Sequence, residues 1–144
     1  MNTSTFLPDV NVLVAAHLTT HVHHKVALGW LRSMQSFATC ATTEMGMVRI
    51  LSNPVVNPGA TTGSVLAALA RVRAQRAHVF WDDASSLGAP LINLAPMRGP
   101  RQVTDFHLAN LAAHHHGQLA TLDGGIEAAL APEDTHWVHT LVAS

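Results

Sequence analysis

The chain has 144 residues, 48% of them apolar and only 12% charged, which suits one compact globular domain and excludes a disordered chain. No apolar run reaches the roughly 18 to 20 residues a membrane span needs, and Met1-Asn2-Thr3-Ser4 lacks the basic segment and long apolar run of a secretion signal. The formal net charge of −1 speaks at first sight against a polyanionic partner.

The first strand is expected from Thr3 to Leu7, closed by Pro8, which donates no hydrogen bond. Asp9 follows at the junction, where a carboxylate accepts from the free N–H groups of a helix. Val10, Leu13, Val14 and His17 then fall at helical spacing. After a break at Thr19-Thr20-His21 a second amphipathic helix runs from about Val22 to Met34, with Val26, Trp30 and Leu31 as its inner face. Phe37 to Ala41 reads as a short buried strand. Cys40, the only cysteine, sits in it as core filler, excludes an internal disulfide and fits a reducing cytoplasm.

Thr42-Thr43-Glu44 opens a helix to about Ser52, stopped by Asn53-Pro54 and Asn57-Pro58-Gly59. Ser64 to Ala77 is helical by pattern, and its late cluster Arg71, Arg73 and Arg76 complements the helix dipole. His78 to Trp81 is a candidate strand. Asp82 to Gly99 is broken by glycine and proline, with Leu91-Ile92-Asn93-Leu94 as a strand or a helical turn. A strong helix runs from Val103 to about His116, with Thr104 as N-cap, Val103 and Leu108 as a hydrophobic staple, and Gly117 as the left-handed cap. Gln118 to Leu122 is a strand, Asp123-Gly124-Gly125 a turn, Ile126 to Leu130 a short helix, and Trp137 to Val142 a last strand. Alternating strands and helices define an α/β chain with a mainly parallel sheet.

In such a sheet, ligands bind beyond the carboxyl ends of the strands. Asp9, Glu44 and Asp123 follow strands, and Asp105 opens a helix that can join them. Singly, each acid is an ordinary helix-start residue. As a group they are costly: like charges ~4 Å apart at an effective dielectric of 20 repel by ~4 kcal/mol per pair. The one lysine, Lys25, falls on the second helix, away from them. Oxygen-only ligands point to Mg²⁺ or Mn²⁺, and two such ions form the clamp that activates water in phosphodiester hydrolysis. With the four acids set aside, five acids face eight bases, so a polyanion is admissible after all.

The ordered set Leu7-Pro8-Asp9-Val10-Asn11, Thr42-Thr43-Glu44, Val103-Thr104-Asp105-Phe106-His107 and Ala120-Thr121-Leu122-Asp123 resembles a PIN domain, and more narrowly the VapC toxins of bacterial toxin–antitoxin pairs. The likeness spans nearly the whole chain as a single PIN-like domain. It implies a three-layer sandwich with a central, mainly parallel sheet of about five strands flanked by helices. It also implies a Mg²⁺- or Mn²⁺-dependent endoribonuclease that leaves a 5′-phosphate, is silenced by a VapB-type antitoxin, and forms a homodimer in the cytoplasm. Asp9, Glu44, Asp105 and Asp123 match the family's catalytic, metal-binding acids; Asp9 and Asp105 are the expected principal ligands, and Asp123 completes a second site. Thr121 and Asn11 are candidates for orienting the carboxylates or water. Arg98, Arg101 and His107 are candidates for RNA contact. Trp30, Met34, Met45 and Met47 are divided between core packing and an apolar groove for the antitoxin.

Other chemistries compete. Among eleven histidines, two acting as general base and acid would cleave RNA without metal, and His21, His23 and His24 are a conceivable ligand set. A degenerate PIN-like module that binds RNA or protein without cutting is the remaining alternative.

Overall fold

The computed structural model describes residues 4–142. The strands β1 (Phe6–Pro8), β2 (Phe37–Thr39), β3 (His78–Phe80), β4 (Gln118–Thr121) and β5 (Val138–Thr140) form a five-stranded sheet in the order β3-β2-β1-β4-β5. Every neighbouring pair is parallel. The helices are α1 (Val10–His17), α2 (His24–Ser33), α3 (Ala41–Leu51), α4 (Thr62–Arg73), α5 (Val103–His114) and α6 (Gly124–Ala129). Thr3, expected in the first strand, lies outside the described residues.

The inner strands β1, β2 and β4 are buried on both faces, which is why they read as apolar runs without alternation, whereas the edge strands β3 and β5 are partly exposed. Successive residues of β2 show it. Phe37 packs with α1, α2, α3 and α4 through Leu13, Leu31, Met47 and Val72, while Ala38 joins Leu7, Leu119 and the α5 residues Phe106, Ala109 and Leu111 on the opposite face. From β1 the chain builds β2 and β3 on one side of it, then crosses to add β4 and β5 on the other. The strand order therefore reverses between β1 and β4, and the crevice past their carboxyl ends is where open α/β sheets hold ligands.

Several local expectations need correction. In α2 the buried positions are Ala27 and Leu31, whereas Val26 is exposed; the small Ala27 is the side chain turned toward the α1 face of the core. Trp30 is half-buried, its ring edge-on to Phe6 with centroids 5.8 Å apart. Leu91 to Leu94 forms neither strand nor helical turn. Side chains hold its backbone instead: Leu91 N donates to Asn110 Oδ1 at 2.8 Å and Asn93 N to Asp134 Oδ2 at 2.8 Å. Both acceptors are buried and come from distant segments, so local pattern could not reveal this path.

At α5 the N-cap is Gln102, because a 3₁₀ turn over Pro100–Gln102 leads directly into the helix and leaves Thr104 already inside it. The expected staple does not form either, since Val103 is largely exposed. At the other end the left-handed residue is His116, with φ 54°, not Gly117. Gly117 is needed for close approach: a Cβ there would run into the carbonyl oxygen of Thr5 and come within 2.8 Å of the Trp81 ring.

Candidate active site

Asp9 stands one residue beyond β1 and caps α1, its Oδ1 accepting from Val12 N at 2.9 Å. Its other oxygen, Oδ2, accepts from the Thr121 hydroxyl at 2.6 Å. Thr121 is the last residue of β4, so this bond spans the point where the strand order reverses. The same hydroxyl oxygen accepts from Asp123 N at 3.0 Å, and Asp123 Oδ1 accepts from Gly125 N at 2.8 Å to cap α6. One hydroxyl thus ties two carboxylate-bearing segments together.

Asp9 is only 4% exposed. Burial raises its pKa from 3.8 to about 6 against the lowering pull of the Thr121 and Val12 bonds, and the charges of Asp105 and Asp123 push it further up. Asp105, in the first turn of α5, is also raised, first by partial burial and then by Asp123. The charges of Asp105 and Asp123 thus reach Asp9, and that of Asp123 reaches Asp105. A cleft of about 260 Å³ opens where Asp105 and Asp123 face each other, with Arg101 and Gln102 on its wall and no histidine lining it.

Glu44 is placed differently. It lies in the first turn of α3, which crosses α1 closely because Gly46 leaves room for Val10. Its Oε2 accepts from Thr39 Oγ1 at 2.7 Å and is paired with Arg73 Nη1 at 2.6 Å. Thr39 Oγ1 also contacts His78 Nε2 at 2.7 Å, and the pKa of His78 is lowered by burial and by the Arg73 charge. Thus the structure groups Asp9, Asp105 and Asp123 and gives Glu44 a cation of its own. Arg73, ascribed from the sequence to the helix dipole, is that cation.

The other sequence candidates separate clearly. Asn11 is exposed on α1 and makes no side-chain hydrogen bond among the described residues. Arg101 lines the aspartate cleft, whereas Arg98 lies in a neighbouring hollow beside Asn93 and Glu133. His107 pairs through Nε2 with Asp83 Oδ1 at 2.6 Å, and Asp83 Oδ2 accepts from Thr42 Oγ1 at 2.8 Å. Asp83 therefore joins α3 to α5 beside the site, a role that sequence reasoning missed. The signal was present: Asp82-Asp83 follows the strand ending at Phe80 much as Asp9 follows β1.

The histidines at 21–24 are engaged locally, His21 Nδ1 accepting from His23 N and His24 Nδ1 bonding Ala15 O. Burial pushes the Cys40 thiol pKa up, consistent with an inert core residue. Met47 is fully buried, while Met45 is exposed and lines an apolar hollow with Val48, Leu69 and Phe80.

Among the described residues no three carboxylate, imidazole or thiol groups close on one point as a finished metal cage. Asp105 and Asp123 line the open cleft, whereas Asp9 is buried and tied to the Asp123 segment through Thr121. Their chemistry still fits a hard divalent cation, because the donors are all oxygen and their crowded charge is relieved by a positive ion.

A parallel α/β sandwich with acids gathered at its switch point is a PIN-like fold. No protein-family model matches the chain. Known proteins do: it is 42% identical over 123 residues to Ribonuclease VapC29 of Mycobacterium tuberculosis, covering 85% of this chain and 88% of that one. It is 39% identical over 126 residues to Ribonuclease VapC39, covering 85% and 91%, and 35% identical over 132 residues to Ribonuclease VapC44, covering 90% and 93%, both from the same organism. The chain belongs to the VapC family of PIN-domain ribonucleases.

Proposed function

We propose that this protein is the toxin of a toxin–antitoxin pair, an endoribonuclease that hydrolyses RNA phosphodiester bonds at the rim formed by Asp9, Asp105 and Asp123 with Mg²⁺ or Mn²⁺. The carrying observation is the buried Asp9 at the β1–β4 switch point, held by Thr121 and charge-coupled to the other two aspartates. A folded protein does not gain stability from such crowding, and a divalent cation gives it a use. A divalent cation held there would supply a water of lowered pKa as nucleophile and positive charge for the leaving oxygen.

The protein's own residues do the rest. Asp9, Asp105 and Asp123 hold the cation. Thr121 fixes the Asp9 carboxylate and the backbone of Asp123 with one hydroxyl, and so sets their separation. Arg101, on the cleft wall, binds an RNA phosphate, and Asp83 fixes the His107 ring through Nε2. Glu44, by contrast, is paired with Arg73. The whole chain acts as a single PIN-like domain, works in the cytoplasm as a homodimer, and is silenced by a VapB-type antitoxin. Among the described residues no helix is long and apolar enough to cross a membrane.

Induced expression followed by sequencing of RNA 5′ ends tests the reading. New 5′-phosphate ends should appear with wild type and vanish with Asp9→Asn, and EDTA should abolish cleavage by the purified protein. Cleavage that survives both the substitution and chelation would refute it.

A further inference from the structure

Gln102 and Ala129 line both the aspartate cleft and the hollow of about 520 Å³ that holds Arg98, so the wall passes from one to the other without a break. A further hollow, around Glu127 and Thr135, shares no lining residue with the cleft and has no cation on its wall. The polar groups of the Arg98 hollow sort by kind. Gln102 Oε1 accepts from Arg98 N at 2.7 Å, and Asn93 Oδ1 accepts from Ala95 N at 2.9 Å. With both amide oxygens engaged, these two side chains offer a ligand their NH₂ groups. The Arg98 guanidinium adds donors and makes no ion pair among the described residues. Glu133, the acid on the same wall, accepts only and is equally without a partner among them. Pro96, Ala128, Leu130 and Pro132 supply apolar surface. The backbone at Asn93 is pinned by the buried Asp134, so this wall stands ready-made.

We infer that this hollow takes an unpaired guanine base of the RNA beside the cut. The inference rests on the reading that RNA is cleaved at the aspartates. A nucleotide next to the scissile phosphate leaves the cleft along its wall, and the wall shared through Gln102 and Ala129 leads here. Guanine alone among the RNA bases sets two adjacent acceptors, O6 and N7, beside two adjacent donors, N1–H and the 2-amino group. The Arg98 fork suits the first pair, with the Asn93 and Gln102 amides as further donors, and the Glu133 carboxylate suits the second. Adenine puts an amino group where guanine has O6, and uracil has a single N–H between two carbonyls. Neither meets both walls. Arg98 thus reads a base edge rather than a phosphate, so its charge adds little to the salt dependence of binding.

Sequencing of RNA 5′ ends after induced expression, followed by cleavage of a single-stranded RNA carrying the preferred site with the purified protein, tests this. Thermal melts verify that each variant is folded. Wild type should show guanine at one fixed position beside the cut, and replacing that guanine by adenine or uracil should lower kcat/KM by about 10- to 100-fold. Arg98→Gln and Glu133→Gln should each reduce the guanine-to-adenine ratio of kcat/KM by about tenfold. Glu127→Gln, in the hollow that does not continue the cleft, should keep the wild-type ratio. Metal-dependent cleavage without a guanine preference would overturn the subsite and leave the aspartate reading standing. So would a ratio unchanged in folded Arg98→Gln or Glu133→Gln, or one that falls equally in Glu127→Gln. Cleavage that persists with Asp9→Asn would overturn the aspartate reading itself, and the subsite with it.

Discussion

Replacing Asp9 by Asn should stabilise the cation-free protein while removing its activity. Burial sets the size of the effect. Asp9 is 4% exposed, and its pKa stands at about 6 against 3.8 in the unfolded chain. Below about pH 3.8 the group is protonated in both states and costs nothing. Between pH 3.8 and 6 the folded state retains a proton that the unfolded state has lost, so stability falls as pH rises; above pH 6 the full cost is present. A pKa raised that far costs roughly 3 kcal/mol of stability. Asn avoids that cost and can keep the cap on Val12 N; the Thr121 bond is already counted, since it lowers the pKa from which the cost is taken. The gain near pH 7.5 is therefore up to about 3 kcal/mol, or about 6 to 12 °C in Tm for a chain of this size. Differential scanning calorimetry in EDTA across pH 4 to 8 measures it. The gap should shrink toward pH 4, where the folded-state carboxyl is protonated and most of the cost is gone. Mn²⁺ at 100 times its dissociation constant should close most of the gap by adding about 2.7 kcal/mol to wild type. A variant less stable than wild type at pH 7.5 in EDTA, or a gap independent of pH, would refute the reasoning.

Thr121→Val keeps the volume of the strand residue but removes the hydroxyl that holds Asp9 and Asp123. Activity should fall about 10- to 100-fold, and an NMR titration should place the Asp9 pKa above its wild-type value, because the lost bond was lowering it. Arg101→Glu should weaken RNA binding and reduce the slope of log K against log salt by about one. Arg98→Glu, outside the aspartate cleft, should change that slope much less. Equal effects of the two reversals would contradict the placement of Arg101.

The strand–carboxylate–helix junctions at Asp9 and Asp123 are legible in the sequence because each is local: a short apolar run, an acid, then helical spacing. The parallel sheet follows from the same alternation. Partnerships between distant segments are not legible. Nothing near Arg73 in sequence points to Glu44, and nothing near Asn110 or Asp134 shows that they hold the backbone at Leu91 and Asn93. Gly117 is a required glycine, but for a different reason than its position after a helix suggests. The constraint is the approach of Thr5 and Trp81, both remote in sequence, while neighbouring His116 takes the left-handed turn. Asp83 is a different kind of omission, since it obeys the junction rule and is hidden by the irregular stretch after it.

Paramagnetic broadening by substoichiometric Mn²⁺ in ¹H–¹⁵N spectra tests most directly whether the three aspartates share one cation. The amides of Val12, Thr121, Asp123 and Gly125, which bond to these carboxylates or lie beside them, should broaden first. Those around residues 21–24 should keep their intensity at the same Mn²⁺ level, and Asp9→Asn should abolish the early broadening. Broadening centred on the histidines, or spread evenly over the acidic surface, would contradict a shared site.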